Sequence, residues 1–214
     1  MNRLLNVLFP YIPLCVVCGA EKGVLAYLCP GCQDIMARLS AGRADVQGFD
    51  VYAPYRYENE AAAIVQQYKY GGKRWLSKYM AEMMMHSVCT AHLSFDCVCH
   101  VPLHSKKRKM RGFDQAALLA QGIAQLLQKP YVNVLRRVRN TPSQTKLDIR
   151  QRRENMDGAF ETCTPVNGRM LLVDDVLTTG ATAAECARML LFAGAQSVAV
   201  LTFAQAGTGE ARST

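Results

Sequence analysis

Residues 170–182, Met-Leu-Leu-Val-Asp-Asp-Val-Leu-Thr-Thr-Gly-Ala-Thr, constrain this chain more than any other stretch. Four apolar residues run into two adjacent carboxylates, and a small, hydroxyl-rich loop follows before a helical pattern begins. A short apolar run bounded by a turn reads as a buried strand, here 170–173, and the pattern after it as a helix over 182–192 with Gly194 as its C′ residue. In an open α/β sheet, ligands sit just beyond the C-terminal ends of strands. The loop of Val176, Leu177, Thr178, Thr179, Gly180, Ala181 and Thr182 offers backbone N–H groups, three hydroxyls and a helix N-terminus, which together suit a phosphate. Asp174 and Asp175 would repel that phosphate, but they suit a pair of sugar hydroxyls or a Mg²⁺ ion. A 5-phosphorylated ribose satisfies both halves. In a merely structural strand–turn–helix, two adjacent carboxylates with no local Lys or Arg would be an electrostatic cost without purpose.

The rest of the chain alternates in the same way. Strands are expected over 51–57, 96–103, 131–138 and 197–203, and helices over 60–70, 75–89 and 113–127. Alternating strands and helices imply a mostly parallel sheet with right-handed crossovers. Residues 34–48 read as a short helix and a linker carrying Gly42 and Gly48, and 139–148 have no periodicity. The expected division is a zinc ribbon with its linker over 1–48, an α/β domain over 49–206 and a disordered tail over 207–214.

Four cysteines support the first unit. Cys15-Val-Val-Cys18 and Cys29-Pro-Gly-Cys32 are two C-x₂-C knuckles ten residues apart, the spacing of a tetrahedral Zn²⁺ site. Disulfides are the alternative; an odd total of nine cysteines and the lack of an export signal argue against them. Four thiolate ligands close the site, so the metal is structural and contributes to folding. Cys97 and Cys99 alternate on a strand and read as buried, reduced thiols.

At 214 residues with half of them hydrophobic, the chain can bury one substantial core. No apolar run approaches the roughly 20 residues of a membrane span, and residues 1–9 lack a signal-peptide cleavage site. A cytoplasmic location is expected. The net charge of +8 is uneven: between Lys69 and Arg153 there are 17 Lys or Arg against 4 Asp or Glu. That surplus implies a polyanionic partner, either phosphate-rich small molecules or nucleic acid.

Two further segments carry this charge. In the first, Val101, Pro102, Leu103, His104 and Ser105 form a strand-end turn ahead of Lys106, Lys107, Arg108, Lys109 and Arg111. In a parallel sheet this turn can face the same cleft as Asp174, where a diphosphate would need backbone donors and cations. The second, with Arg136, Arg137 and Arg139 ahead of Thr141-Pro-Ser-Gln-Thr, is long, basic and aperiodic, in the manner of a mobile lid over a phosphate site.

The acidic pair and its loop resemble the ribose-phosphate signature of type I phosphoribosyltransferases, which bind phosphoribosyl diphosphate (PRPP). Six other segments take the resemblance further: the paired knuckles, Lys69-Tyr-Gly-Gly, Pro102-Leu-His, Arg111-Gly-Phe-Asp-Gln, Thr141-Pro-Ser-Gln-Thr and Arg153-Glu-Asn-Met-Asp-Gly-Ala-Phe. Together they resemble the ComF family of bacterial competence and DNA-utilisation proteins over nearly the whole chain. The resemblance implies a type I phosphoribosyltransferase fold, a mostly parallel sheet flanked by helices, with a small N-terminal four-cysteine zinc ribbon. It further implies PRPP with Mg²⁺ and single-stranded DNA as a partner, with a competence helicase as the partner in the adaptor alternative.

Lys69, Lys106, Lys107, Arg108, Lys109, Arg111, Arg136, Arg137 and Arg139 are then the candidate DNA or diphosphate contacts, with Tyr68, Tyr70, Trp75 and Phe113 available for base stacking. Two departures matter. Asp114 replaces a usual Asn, so it either burdens an anion site or caps the next helix. Thr178 stands where purine-salvage enzymes carry an Asp base, and a hydroxyl is a poor base near neutral pH. Three functions stay open: a PRPP-binding protein acting on single-stranded DNA, a conventional phosphoribosyltransferase for a small nucleobase or amine, and a non-catalytic adaptor for a DNA-uptake helicase.

Overall fold

The computed structural model describes residues 14–20, 28–139 and 158–207. A first helix, α1 (Pro30–Arg38), leads into the hairpin β1 (Ser40–Val46) and β2 (Phe49–Arg56). Then come α2 (Asn59–Tyr70), α3 (Leu76–Thr90), β3 (Cys97–His100), a short α4 (Ser105–Arg111), α5 (Gln115–Leu127) and β4 (Leu135–Arg137). The chain ends with β5 (Phe160–Thr162), β6 (Arg169–Leu177), α6 (Ala181–Phe192) and β7 (Ser197–Gln205). The main sheet has the order β1-β2-β7-β6-β3, parallel throughout except for the β1–β2 hairpin. Strands β4 and β5 pair antiparallel in a small separate sheet.

The pleat of β6 sorts its side chains between two layers. Leu171 and Val173 face α2, α3 and α5, packing among Ile64, Val65, Met80, Met84, Leu119 and Ile123. Met170 and Leu172 face α6 and the small sheet, among Cys186, Leu190, Leu135 and Phe160. The expected mostly parallel sheet flanked by helices is thus what the chain forms.

Several elements differ from the expectation. Residues 40–46 are not a linker: they pair with β2 from Ser40↔Tyr55 to Val46↔Phe49, closed by a turn at Gln47 (φ 56°) and Gly48 (φ 85°). Two consecutive left-handed residues match the turn that a two-residue hairpin prefers. Strand β6 does not stop at Val173 but continues to Leu177, because β7 keeps pairing with it at Val176↔Ala204 and Leu177↔Gln205. The strand expected over 131–138 shrinks to β4, with Tyr131 making one isolated bridge to Val98. The expected lid around 141–150 and the tail from 208 lie outside the described residues.

The cysteine module packs on the main core. Cys15, Leu28, Cys32, Met36 and Leu39 share one buried cluster with Ile64, Val65 and Tyr68 of α2. Among the described residues, no helix is long and apolar enough to cross a membrane.

Candidate functional site

The site forms where β3 leaves the sheet. Val101 still donates its N–H to Val173 (2.9 Å), and Pro102 then turns the chain away. From Asp174 onward β6 therefore has a strand on one side only, and the opened flank is a cleft of about 410 Å³. Its walls include Lys69 and Tyr70 of α2, the turn at 101–103, Lys107 and Arg111 of α4, Gln115 of α5, Arg137 of β4, and Asp174, Asp175, Thr178 and Thr182.

Alternation along β6 separates the two acids. Asp175 points toward α2, where Lys69 Nζ meets its Oδ1 at 2.7 Å, both side chains being largely buried. Asp174 Oδ1 accepts the N–H of Asp175 at 2.8 Å. Burial and then the adjacent Asp175 charge push the Asp174 carboxyl up to about 8, outweighing the opposing pull of Lys69. Burial works against the Lys69 ammonium, but Asp175 more than compensates, and its pKa ends above the usual lysine value. One oxygen of each acid therefore already has a hydrogen-bonding partner, which for Asp175 is a cation.

Beyond β6, Gly180 (φ 74°) turns the chain into α6 as its N-cap residue, with no side chain of its own to cap the helix. A Cβ at Gly180 would collide with Cγ1 of Val46 at the tip of β1, so the hairpin presses on this loop and only glycine fits. The Thr179 hydroxyl is buried without a partner. Of the expected phosphate loop, Val176 and Leu177 belong to the strand, whereas Thr178, Val176 and Thr182 line the cleft.

The opposite wall holds the cations. Arg111 donates to Gln115 Oε1 (2.9 Å) and to the Tyr70 hydroxyl (3.1 Å) while lying over the Tyr70 ring at 5.0 Å. Its Nε and the Nε2 of Gln115 are buried donors without a hydrogen-bond partner. Unsatisfied buried donors are costly, and both residues line the cleft. Burial and the neighbouring Arg137, Arg111 and Lys69 charges lower the Lys107 pKa, and burial lowers that of Arg137.

The expected turn splits at its end. Val101, Pro102 and Leu103 line the cleft, but His104 is the N-cap of α4, its Nδ1 accepting from Lys106 N (3.3 Å), and Ser105 begins that helix. The Leu103 N–H is taken by Asp114 Oδ2 (3.0 Å), while Asp114 Oδ1 caps α5 through Ala117 N (3.2 Å). Asp114 thus does cap the helix, and it also ties down the turn.

The expected basic residues also divide. Lys69, Lys107, Arg111 and Arg137 line the cleft. Lys106, Arg108 and Lys109 lie on α4 outside it, and Arg136 points away to pair with Glu161 at 2.9 Å. Tyr68 and Phe113 are core residues, whereas Tyr70 and Trp75 are exposed. Gln115, Gln66 and Tyr57 are cleft residues that sequence reasoning missed; a glutamine opening an apolar helix gives no signal of its own.

At the other end, the sulfurs of Cys15, Cys18, Cys29 and Cys32 lie within 4.8 Å of one another. A tetrahedron with bonds of about 2.3 Å has edges of about 3.8 Å. The Cys18–Cys29 separation of 3.6 Å fits, so the four can hold a metal ion and are compatible with structural zinc. Cys29 is the N-cap of α1 and Cys32 lies in its first turn, so one helix end holds both residues of the second knuckle.

Fold and site together define an α/β protein with a cleft lined by cations and two carboxylates at the C-terminal edge of its parallel strands, joined to a four-cysteine module that could hold a metal ion. No protein-family model matches the chain. Relatives include competence protein F of Haemophilus influenzae, 28% identical over 92% of this chain and 86% of that protein. The DNA utilization protein YhgH is 32% identical in Salmonella typhimurium and 30% in Escherichia coli K12, each over 87% of this chain and 88% of that protein. The chain belongs to this family of competence F and DNA utilization proteins, the ComF family. Solved structures it resembles include a glutamine PRPP amidotransferase from B. subtilis, at 23% identity over 59% of this chain and 25% of that one, TM-score 0.41. Another is an adenine phosphoribosyltransferase from Thermoanaerobacter pseudethanolicus, at 12% identity over 81% of this chain and 99% of that one, TM-score 0.41.

Proposed function

We propose that the cleft binds PRPP and that the protein uses this phosphoribosyltransferase-like site in DNA utilisation. The 5-phosphate lies at residues 178–182 on the N-terminus of α6, whose N-cap is Gly180. The ribose diol lies against Asp174 and Asp175, and the diphosphate against Lys107, Arg111, Gln115 and Arg137. The observation that carries this reading is the pair of partnerless buried donors, Arg111 Nε and Gln115 Nε2, on two residues that line the same cleft as the acidic couple. A ligand with a diol at one end and acceptors at the other satisfies both walls. The names of the relatives supply the DNA-related role.

Calorimetry with PRPP tests it. Gln115→Leu removes one hydrogen bond to a charged group, about 1.5–3 kcal/mol, and should weaken PRPP by roughly tenfold or more. An unchanged affinity would sink the diphosphate assignment.

Single-stranded DNA fits a second surface. Arg111 over Tyr70 (5.0 Å) and Arg74 over Phe113 (5.4 Å) join the 71–75 turn to α4, leaving Tyr70, Trp75, Lys106, Arg108 and Lys109 exposed beside the cleft. Exposed rings among cations suit stacked bases and backbone phosphates. Trp75 is the only tryptophan, so its fluorescence reports binding directly. Quenching by oligothymidylate should weaken on a log–log salt slope of about 0.7 per phosphate contact, and a flat slope would exclude DNA here.

A further inference from the structure

The pairing of Lys69 with Asp175 has a consequence for how the diol is held. The ammonium sits 2.7 Å from an Asp175 carboxylate oxygen, and Lys69, Asp174 and Asp175 line the same cleft. It is delivered from the last turn of α2, near the C-terminal end of that helix, where the helix dipole favours a cation. The backbone fixes the other acid as well, through the Asp175 N–H on Asp174 Oδ1. Lys69 is packed in place by its neighbours: Tyr68 before it is fully buried, with its hydroxyl on the Gln115 carbonyl at 2.8 Å. An ammonium so held keeps two donors for a ligand hydroxyl after serving Asp175.

We infer that Lys69 is a built-in counter-cation of the acidic couple, so that the ribose diol is gripped by Asp174, Asp175 and Lys69 with no metal bound to these acids. Any divalent ion that accompanies the ligand then travels with its diphosphate. This deepens the PRPP reading and rests on it. Lys69 acts here as a binding residue for the diol, not as a contact for DNA.

Ribose 5-phosphate is the discriminating probe, because it keeps the diol and the 5-phosphate but lacks the diphosphate that recruits Mg²⁺. Its affinity for the intact protein is measured by calorimetry in EDTA and in excess Mg²⁺. The two values should agree within about twofold. Lys69→Met should lose at least tenfold in EDTA and recover part of that loss in Mg²⁺, as the metal enters the vacated position. Lys69→Arg, which keeps the cation in a buried pair, should stay closer to the parent, and circular dichroism confirms that each variant is folded.

Binding to the parent that needs Mg²⁺ overturns the inference and leaves the PRPP reading standing. So does a Lys69→Met protein that binds like the parent in EDTA. Ribose 5-phosphate that fails to bind the parent in either medium overturns the PRPP reading itself. The parent measurement decides the matter even if Lys69→Met does not fold.

Discussion

Replacing Asp174 by asparagine is expected to make the protein more stable at alkaline pH while weakening its ligand. Burial and the Asp175 charge push the Asp174 carboxyl up to about 8. In the unfolded chain the same group releases its proton near pH 4. Between those values the folded protein holds a proton that the unfolded chain has lost. Stability therefore falls as pH rises through this window, by about 1.4 kcal/mol per pH unit. The full window gives a ceiling of about 5 kcal/mol. Solvent screening of a side chain that is only partly buried reduces it, and about 2–3 kcal/mol is the working value.

Asparagine has the shape of the protonated acid and does not ionise. The two proteins should match in stability near pH 4 and diverge in favour of Asp174→Asn by about 2–3 kcal/mol at pH 9. Urea denaturation at several pH values measures this, as a midpoint shift of about 1 M at pH 9. A variant as pH-sensitive as its parent, or less stable at pH 9, would refute the reasoning.

Metal analysis should find one zinc per chain, and Cys32→Ser should cost about 5 kcal/mol or more of the roughly 10–16 that such a site contributes; an unchanged melting temperature would contradict this, because Cys32 shares its buried cluster with α2. Gly180→Ala should cost about 2–4 kcal/mol from its left-handed backbone and the collision with Val46, with partial rescue by Val46→Ala in a double-mutant cycle. Asp114→Ala should lose about 1 kcal/mol of helix capping plus the tie to Leu103. Asp114→Asn should keep the cap and lose only the Leu103 tie, because its Nδ2 cannot accept a hydrogen bond, and urea denaturation should place it between the parent and the alanine variant.

The strand–loop–helix at 170–182 was legible because an apolar run, a glycine and a helical period follow one another without ambiguity. Its true end was not: carboxylates look like a strand terminus, and only pairing with β7 carries β6 on to Leu177. Strand β1 was hidden for the opposite reason. As an edge strand it exposes Ser40, Arg43 and Asp45, so its polar pattern imitates a linker. Strands β4 and β5 have three residues each, too few to show a period. The four cysteines were legible from spacing alone. The Lys69–Asp175 pair and the Arg111–Gln115 donors join residues from different elements, and local patterns carry no trace of such meetings.

A crystal structure of the protein with PRPP tests the central claim most directly. The 5-phosphate should rest on the backbone of residues 178–182, with the ribose hydroxyls on Asp174 and Asp175 and the diphosphate on Arg111 Nε and Gln115 Nε2. PRPP bound outside this cleft, or lying in it with its ends reversed, would contradict the account.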